Sequence, residues 1–184
     1  MERKPIIQLD EATIGRIAAG EVVERPAQVV KELVENSIDA GSKRIRVVIE
    51  NGGFQRILVE DDGHGIPPEE LPLAVNRHAT SKLRNSDDLA SINTLGFRGE
   101  ALAAVGSVSN LSIRSRQRGA DGAIIEVVNG VVGDVQPIGM ADGTSIEVRE
   151  IFAAVPARMA FQRRPTTESA AVVDVVTAYT LAHP

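Results

Sequence analysis

Arg44-Ile45-Arg46-Val47-Val48-Ile49-Glu50-Asn51-Gly52-Gly53-Phe54-Gln55-Arg56-Ile57-Leu58-Val59-Glu60 is the stretch that decides the fold class. Arg44 to Glu50 alternates, which places Ile45, Val47 and Ile49 on the inward side of a strand. Asn51-Gly52-Gly53 tolerates the backbone angles of a sharp reversal, so Arg56 to Glu60 returns as the second strand of a hairpin. Before the hairpin, Pro26 is a first-turn proline for a helix running to about Asp39, and Gly41 is a natural stop. After it, strands are expected at about 110–115, 123–128, 131–136 and 144–148, with Asn129-Gly130 as a tight turn between two of them. Strands in adjacent hairpins, with helices grouped early and at the end, indicate an α+β fold. It is a two-layer sandwich with a largely antiparallel or mixed sheet and helices on one face. A doubly wound parallel fold would alternate strand and helix throughout, and this chain does not.

Smaller elements fill the rest. Ile6, Ile7 and Leu9 suggest a short strand, and Ile14, Ile17 and Ala18 a short helix. Helical stretches are expected around 69–77 and 87–92, the second capped by Ser86. Residues 94–107 place Gly96, Gly99 and Gly106 around a short apolar helix. Pro156 breaks a loop, and Thr166 or Thr167 caps a last helix carrying Val172, Val173, Val176 and Tyr179. Across 184 residues there are only four Phe and one Tyr, so the core must be built from Val, Ile, Leu and Ala. Cysteine is absent, which excludes disulfides and thiolate metal sites and fits a cytosolic protein. A net charge of −5 argues against a generic polyanion binder. No apolar run approaches a membrane span, and Met1-Glu2-Arg3-Lys4 leads into no signal-peptide core.

The first long helix carries the most informative chemistry. Glu32, Glu35, Asn36 and Asp39 recur at i, i+3, i+4 and i+7 and make one polar stripe. Val29, Val30, Leu33, Val34 and Ile38 occupy the opposite side and suit packing on a sheet. The stripe holds only oxygen-bearing side chains, as a hard-cation and water site requires; an ordinary acidic surface is the alternative. Asp61-Asp62-Gly63-His64-Gly65 follows a strand directly. Either Asp61 accepts a hydrogen bond from a ligand amine, or the segment is a glycine turn closed by Asx bonds. His64 reads as a loop histidine. Gly96-Phe97-Arg98-Gly99-Glu100-Ala101-Leu102 is a glycine-rich turn opening a helix, a place where backbone N–H groups meet anions. Thr80-Ser81-Lys82 precedes it with two hydroxyls and an ammonium. No G-x-x-x-x-G-K-[ST] string occurs, so a nucleotide site here is not of the P-loop kind. Gly143-Thr144 opens a strand, and by itself is a common structural element.

Taken together, Glu32-x-x-Glu35-Asn36-x-x-Asp39-Ala40, Asp61-x-Gly63-x-Gly65, Gly96 to Leu102 and Gly143-Thr144 resemble the four motifs of the GHKL ATPase superfamily, in order and spacing. Ile17-Ala18-Ala19-Gly20-Glu21-Val22-Val23-Glu24-Arg25-Pro26 and Gly96-Phe97-Arg98-Gly99-Glu100-Ala101-Leu102 are similar to the MutL family of DNA mismatch-repair proteins. The resemblance spans essentially the whole chain and implies the Bergerat fold for residues 1–184. It also implies a second domain beyond them, which supplies a lysine to the γ-phosphate. It makes Glu32 the general base, Asn36 the Mg²⁺ ligand and Asp61 the acceptor of the adenine amino group. Gly65 would let the base lie against the backbone, and Thr144 would support adenine. Thr80, Ser81, Lys82 and Gly96, Phe97, Arg98, Gly99, Glu100, Ala101 and Leu102 would close over ribose and phosphates as a lid. Two places depart from the family pattern: Asp62 stands where Asn is common, and Ala154 to Met159 replaces the usual Asn-Thr-Pro-Ala-Arg-Arg.

The function implied is a slow, Mg²⁺-dependent ATPase, in which ATP orders the lid and drives homodimerisation to couple mismatch recognition to repair. Implied partners are ATP, a mismatch-recognition protein, a downstream nuclease or helicase and, weakly through the full-length protein, DNA; no membrane is involved. The implied location is the bacterial cytoplasm, in association with the nucleoid. Two competing readings are a nucleotide-binding switch without turnover and a DNA-binding module using Arg114, Arg116 and Arg118 or Arg158, Arg163 and Arg164. For those arginines the alternative is a scattered, solvated set.

Overall fold

A computed structural model describes residues 7–8, 13–14, 17, 19, 22–76 and 101–183. The first long helix, α1 (Pro26–Asp39), leads into β1 (Ile45–Glu50) and β2 (Arg56–Asp61). Then come α2 (Leu71–Ala74), α3 (Ala101–Ser107), β3 (Asn110–Arg116), β4 (Gly122–Val128), β5 (Val131–Val132), β6 (Gln136–Ile138) and β7 (Gly143–Arg149). The chain finishes with α4 (Pro156–Ala160) and α5 (Pro165–Ala182). The strand order is β1-β2-β7-β3-β4-β5, with β6 also on β4, and every pairing among the described residues is antiparallel.

Register converts the sequence pattern into layers. One row across the sheet is Ile49, Ile57, Val148, Leu111 and Val127; the next is Val47, Val59, Ile146, Ile113 and Ile125. These rows share a face because side chains alternate with period two, and α1 and α3 pack over that face. Ile57, Ile113 and Val148 are completely buried, as is Val30 from α1. Truncating one of the Ile residues to Ala costs about 2–5 kcal/mol, because the cavity collapses only in part. The opposite face carries Arg46–Glu60 and the group Glu50, Arg56, Glu147 and Arg149, joined by ion pairs. A slip of one residue would exchange these two faces, so the pattern specifies the register strongly.

α1 begins at Pro26 and ends before Gly41, whose φ of +72° closes the helix as expected. α5 lies alongside α1 in the same direction: Pro165 packs on Gly52 beside Pro26, and Tyr179 reaches Glu35.

Some sequence expectations need correction. The last helix starts at Pro165 with Arg164 as its N-cap, two residues ahead of the expected Thr166 cap, because proline's fixed φ suits the first helical position better than a hydroxyl cap. Val173 faces solvent, while Val172 is buried and Val176 and Tyr179 are partly so. The expected strand at 131–136 is two short ones, Val131–Val132 and Gln136–Ile138, separated by Gly133, Asp134 and Val135. The helical stretch at 69–77 is a 3₁₀ turn over Pro68–Glu70 and one α turn over Leu71–Ala74. Ile14 and Ile17 are helical as read, and Ile7 has no regular structure. The 87–92 helix, its Ser86 cap, and Ile6, Leu9 and Ala18 lie outside the described residues.

Candidate functional site

The apolar face of the sheet ends in a row of a different kind. In register after Val59, Ile146 and Ile113 come Asp61 on β2, Thr144 on β7 and Ser115 on β3. Where the two preceding rows present hydrocarbon to α1 and α3, this one presents a carboxylate and two hydroxyls. Ser115 is fully buried; its Oγ accepts the Ile66 N–H at 2.7 Å, lies 2.9 Å from Thr144 Oγ1 and is 3.1 Å from the Gly143 carbonyl. Asp61 Oδ2 accepts the Ser37 hydroxyl at 2.7 Å and Oδ1 accepts the Gly63 N–H at 2.9 Å. The row is therefore fixed by hydrogen bonds to α1 on one side and to the 61–66 loop on the other. An ionised carboxylate has about four acceptor positions, so Asp61 keeps capacity for an incoming donor.

Glycines let the surrounding backbone close on this row. A Cβ on Gly65, whose φ is +74°, would stand 2.3 Å from the Arg116 carbonyl oxygen, and one on Gly143 would stand 2.0 Å from the Asp61 backbone carbonyl oxygen. Gly65 is thus required by its contact with β3 before any ligand is considered. A Cβ on Gly63 would meet Ser42 and Ala40, and the His64 N–H bonds to the Ala40 carbonyl, so the loop lies directly on the end of α1. His64 is exposed, with Nδ1 on the Gly65 carbonyl, as a loop histidine should be.

The four residues of the α1 stripe do not share one environment. Glu32, Asn36 and Asp39 are half-buried, while Glu35 is only 5% exposed. Glu35 Oε1 takes the Lys31 ammonium at 3.2 Å and the Tyr179 hydroxyl from α5. Burial, then the hydrogen bond and charge of Glu35, then the charge of Glu32 push the Tyr179 hydroxyl well above its ordinary pKa. Ser37, buried on the same helix, bonds Asp61 and so ties α1 to the polar row.

Asp62 points elsewhere. Its carboxylate accepts the Arg44 and Lys43 N–H groups at 2.9 and 2.8 Å and the Arg44 guanidinium at 2.9 Å. Those bonds, the backbone ones first, hold its pKa down to about 2. It closes the entry to β1.

Of the lid residues, Ala101 and Leu102 begin α3, which packs against α1, β3 and β4. Thr80, Ser81, Lys82 and Gly96 to Glu100 lie outside the described residues. Several arginines proposed for DNA are engaged internally: Arg116 bonds the Ala120 and Met140 carbonyls, and Arg158 bonds the Val23 carbonyl and lies over the Phe152 ring. Arg118 is 3.8 Å from Asp142, while Arg114, Arg163 and Arg164 are exposed.

Residues 24–133 match the model of the histidine kinase-, DNA gyrase B- and HSP90-like ATPases. The chain belongs to this ATPase family. Within it, the chain is 55% identical to the DNA mismatch repair protein MutL of Chelativorans over 98% of its own length, and 54% identical to that of Rhodospirillum rubrum over 96%. It spans about 29% of the length of the curated relatives it matches. Among solved structures, it superposes on the Aquifex aeolicus MutL ATPase domain complexed with ADP with a TM-score of 0.66 at 33% identity, covering 87% of this chain and 56% of that one. The N-terminal domain of a DNA repair protein gives 0.75 at 27% identity, covering 90% and 48%. The α+β sandwich read from the hairpins is therefore that of a GHKL-type ATPase domain.

Two residues of this polar network escaped the sequence reading, Ser115 in the row and Ser37 on α1. The signal for Ser115 was present: it occupies the inward position after Leu111 and Ile113, where a third apolar residue is the default.

Proposed function

We propose that this chain binds ATP across the polar row and hydrolyses it slowly at the α1 stripe, as the nucleotide module of a MutL-like mismatch-repair protein. The observation that carries the reading is the Asp61–Thr144–Ser115 row, tied through Ser37 to the helix that bears Glu32 and Asn36. Asp61 accepts the adenine amino group, with its geometry set beforehand by Ser37 and Gly63. Thr144 supports the base from the next strand. Glu32, half-buried on the stripe, keeps the access to water that a general base needs and draws the proton from the attacking water.

Asn36 would hold the Mg²⁺ that accompanies the nucleotide. Its half-buried amide, flanked by carboxylates, is a hard oxygen donor of the kind this ion takes, and Mg²⁺ needs few protein ligands because it retains water. When bound, the ion neutralises phosphate charge. Thr80, Ser81, Lys82 and Gly96 to Leu102 close over the ribose and phosphates. Lid ordering then favours a homodimer that reports mismatch recognition to a nuclease or helicase, with weak DNA contact through the full-length protein. The similarity to MutL proteins supports these partners.

Glu32→Ala tests the reading. Phosphate release should fall by at least about 100-fold, the usual worth of a general base, while calorimetric affinity for ATP with Mg²⁺ stays within about threefold. Undiminished release would remove Glu32 from the chemistry. Tight binding with no release by the unaltered protein would favour a binding switch.

A further inference from the structure

Glu35 lies between Glu32 and Asn36 in sequence, yet it is buried and committed to a different element. Its two partners are unequal. Lys31 is about half exposed, so its charge is screened by water, whereas Tyr179 is a half-buried hydroxyl presented by α5. The Tyr179 ring also stacks on His183, one turn further along α5, with ring centroids 6.4 Å apart. Hydrogen bonds to buried carboxylates are among the stronger ones, and this one joins the last turns of α5 to the middle of the stripe.

The geometry points to Tyr179 as a positioning residue for the α1 stripe: its hydroxyl, acting through Glu35, sets the seat of Glu32 and Asn36 and couples the occupancy of the nucleotide site to the end of α5. This rests on the ATPase reading above. The groups around the hydroxyl include Glu35 from α1, with Lys31 behind it, and His183 just past the end of α5. Tyr179 is hydrogen-bonded to Glu35, the residue next to Asn36, so a cation and a triphosphate placed on the stripe would change the electrostatic field at its hydroxyl. Without the hydroxyl, Glu35 keeps, among the described residues, the screened Lys31 alone. α1 can then shift by the fraction of an ångström that in-line attack does not tolerate.

The chain contains one tyrosine and no tryptophan, so its intrinsic emission reads this group alone. Titrating the protein with Mg²⁺ and a non-hydrolysable ATP analogue should give a saturable change in tyrosine emission with the calorimetric midpoint. Glu35→Gln should abolish that change. Tyr179→Phe, which keeps the ring and its stack, should lower kcat about tenfold while leaving the analogue's Kd within about twofold, a split that simple loss of fold does not produce. The Tyr179→Phe/Glu35→Gln double variant should be no slower than the slower single, as expected for two residues acting as a unit. Silent emission while calorimetry registers binding, or an unchanged kcat in Tyr179→Phe, would overturn the positioning role. Absence of calorimetric binding by the unaltered protein would instead overturn the nucleotide reading beneath it.

Discussion

The tip of β2 and the stripe on α1 both present carboxylates to one side of the sheet, but they are held in opposite ways. At the strand tip, Asp61, Ser115 and Thr144 are locked by bonds to Ser37, Gly63 and Ile66, and Ser115 and Thr144 are buried. On the stripe, one carboxylate is sequestered by Tyr179 and Lys31, and Glu32 and Asn36 retain partial exposure. A recognition surface gains from being formed before its ligand arrives, because no ordering cost is then charged to binding. A base that activates water must keep contact with water. The division between rigid recognition and wet chemistry follows from which positions of one face carry hydroxyls and which positions of one helix stay partly exposed.

Ser115→Ala breaks the rigid side of this comparison. Removing the hydroxyl strips the partly buried Ile66 N–H and the buried Thr144 Oγ1 of a shared partner, so about 1–3 kcal/mol of stability should be lost in denaturant unfolding. Affinity for ATP should weaken about tenfold while kcat at saturation changes little, since the stripe is untouched. A fall in kcat with unchanged affinity would reverse the assignment of the two regions.

Asp62→Asn sharpens the comparison with a smaller effect, because Asp62 adjoins Asp61 but serves the β1 entry. Its carboxyl is held near pKa 2 by Arg44 and Lys43, below its unfolded value. The stability it contributes is therefore present above about pH 4 and lost as pH falls through about 2. In Asp62→Asn, the denaturation midpoint should depend less steeply on pH over that interval, with nucleotide affinity at neutral pH within about twofold of the unaltered protein. A large loss of affinity would place Asp62 in the site.

How much of this was legible in the chain depends on distance along it. The Arg44–Glu60 hairpin, the α1 apolar side and the Gly41 stop are local patterns, and they appear where the periodicity put them. Asp61 and Thr144 became register partners across β2 and β7, a pairing of distant residues that no local pattern dictates. Glu35 looked equivalent to Glu32 on a helical wheel. What separates them is Tyr179, 144 positions later, and helical periodicity has no means of finding such a partner. Pro165 outcompeting Thr166 for the helix start, and Gly133 to Val135 dividing a strand, are boundary effects of two or three residues.

Calorimetry on the unaltered protein and Asp61→Ala, each titrated with a non-hydrolysable ATP analogue in Mg²⁺ and with the corresponding GTP analogue, tests the central claim most directly. The account predicts saturable binding of the ATP analogue. Asp61→Ala should weaken it by about 10- to 100-fold, the worth of one hydrogen bond to a charged group, and the GTP analogue should bind weakly to both proteins because it lacks the exocyclic amine that Asp61 accepts. Equal affinity of both proteins for the ATP analogue would contradict it.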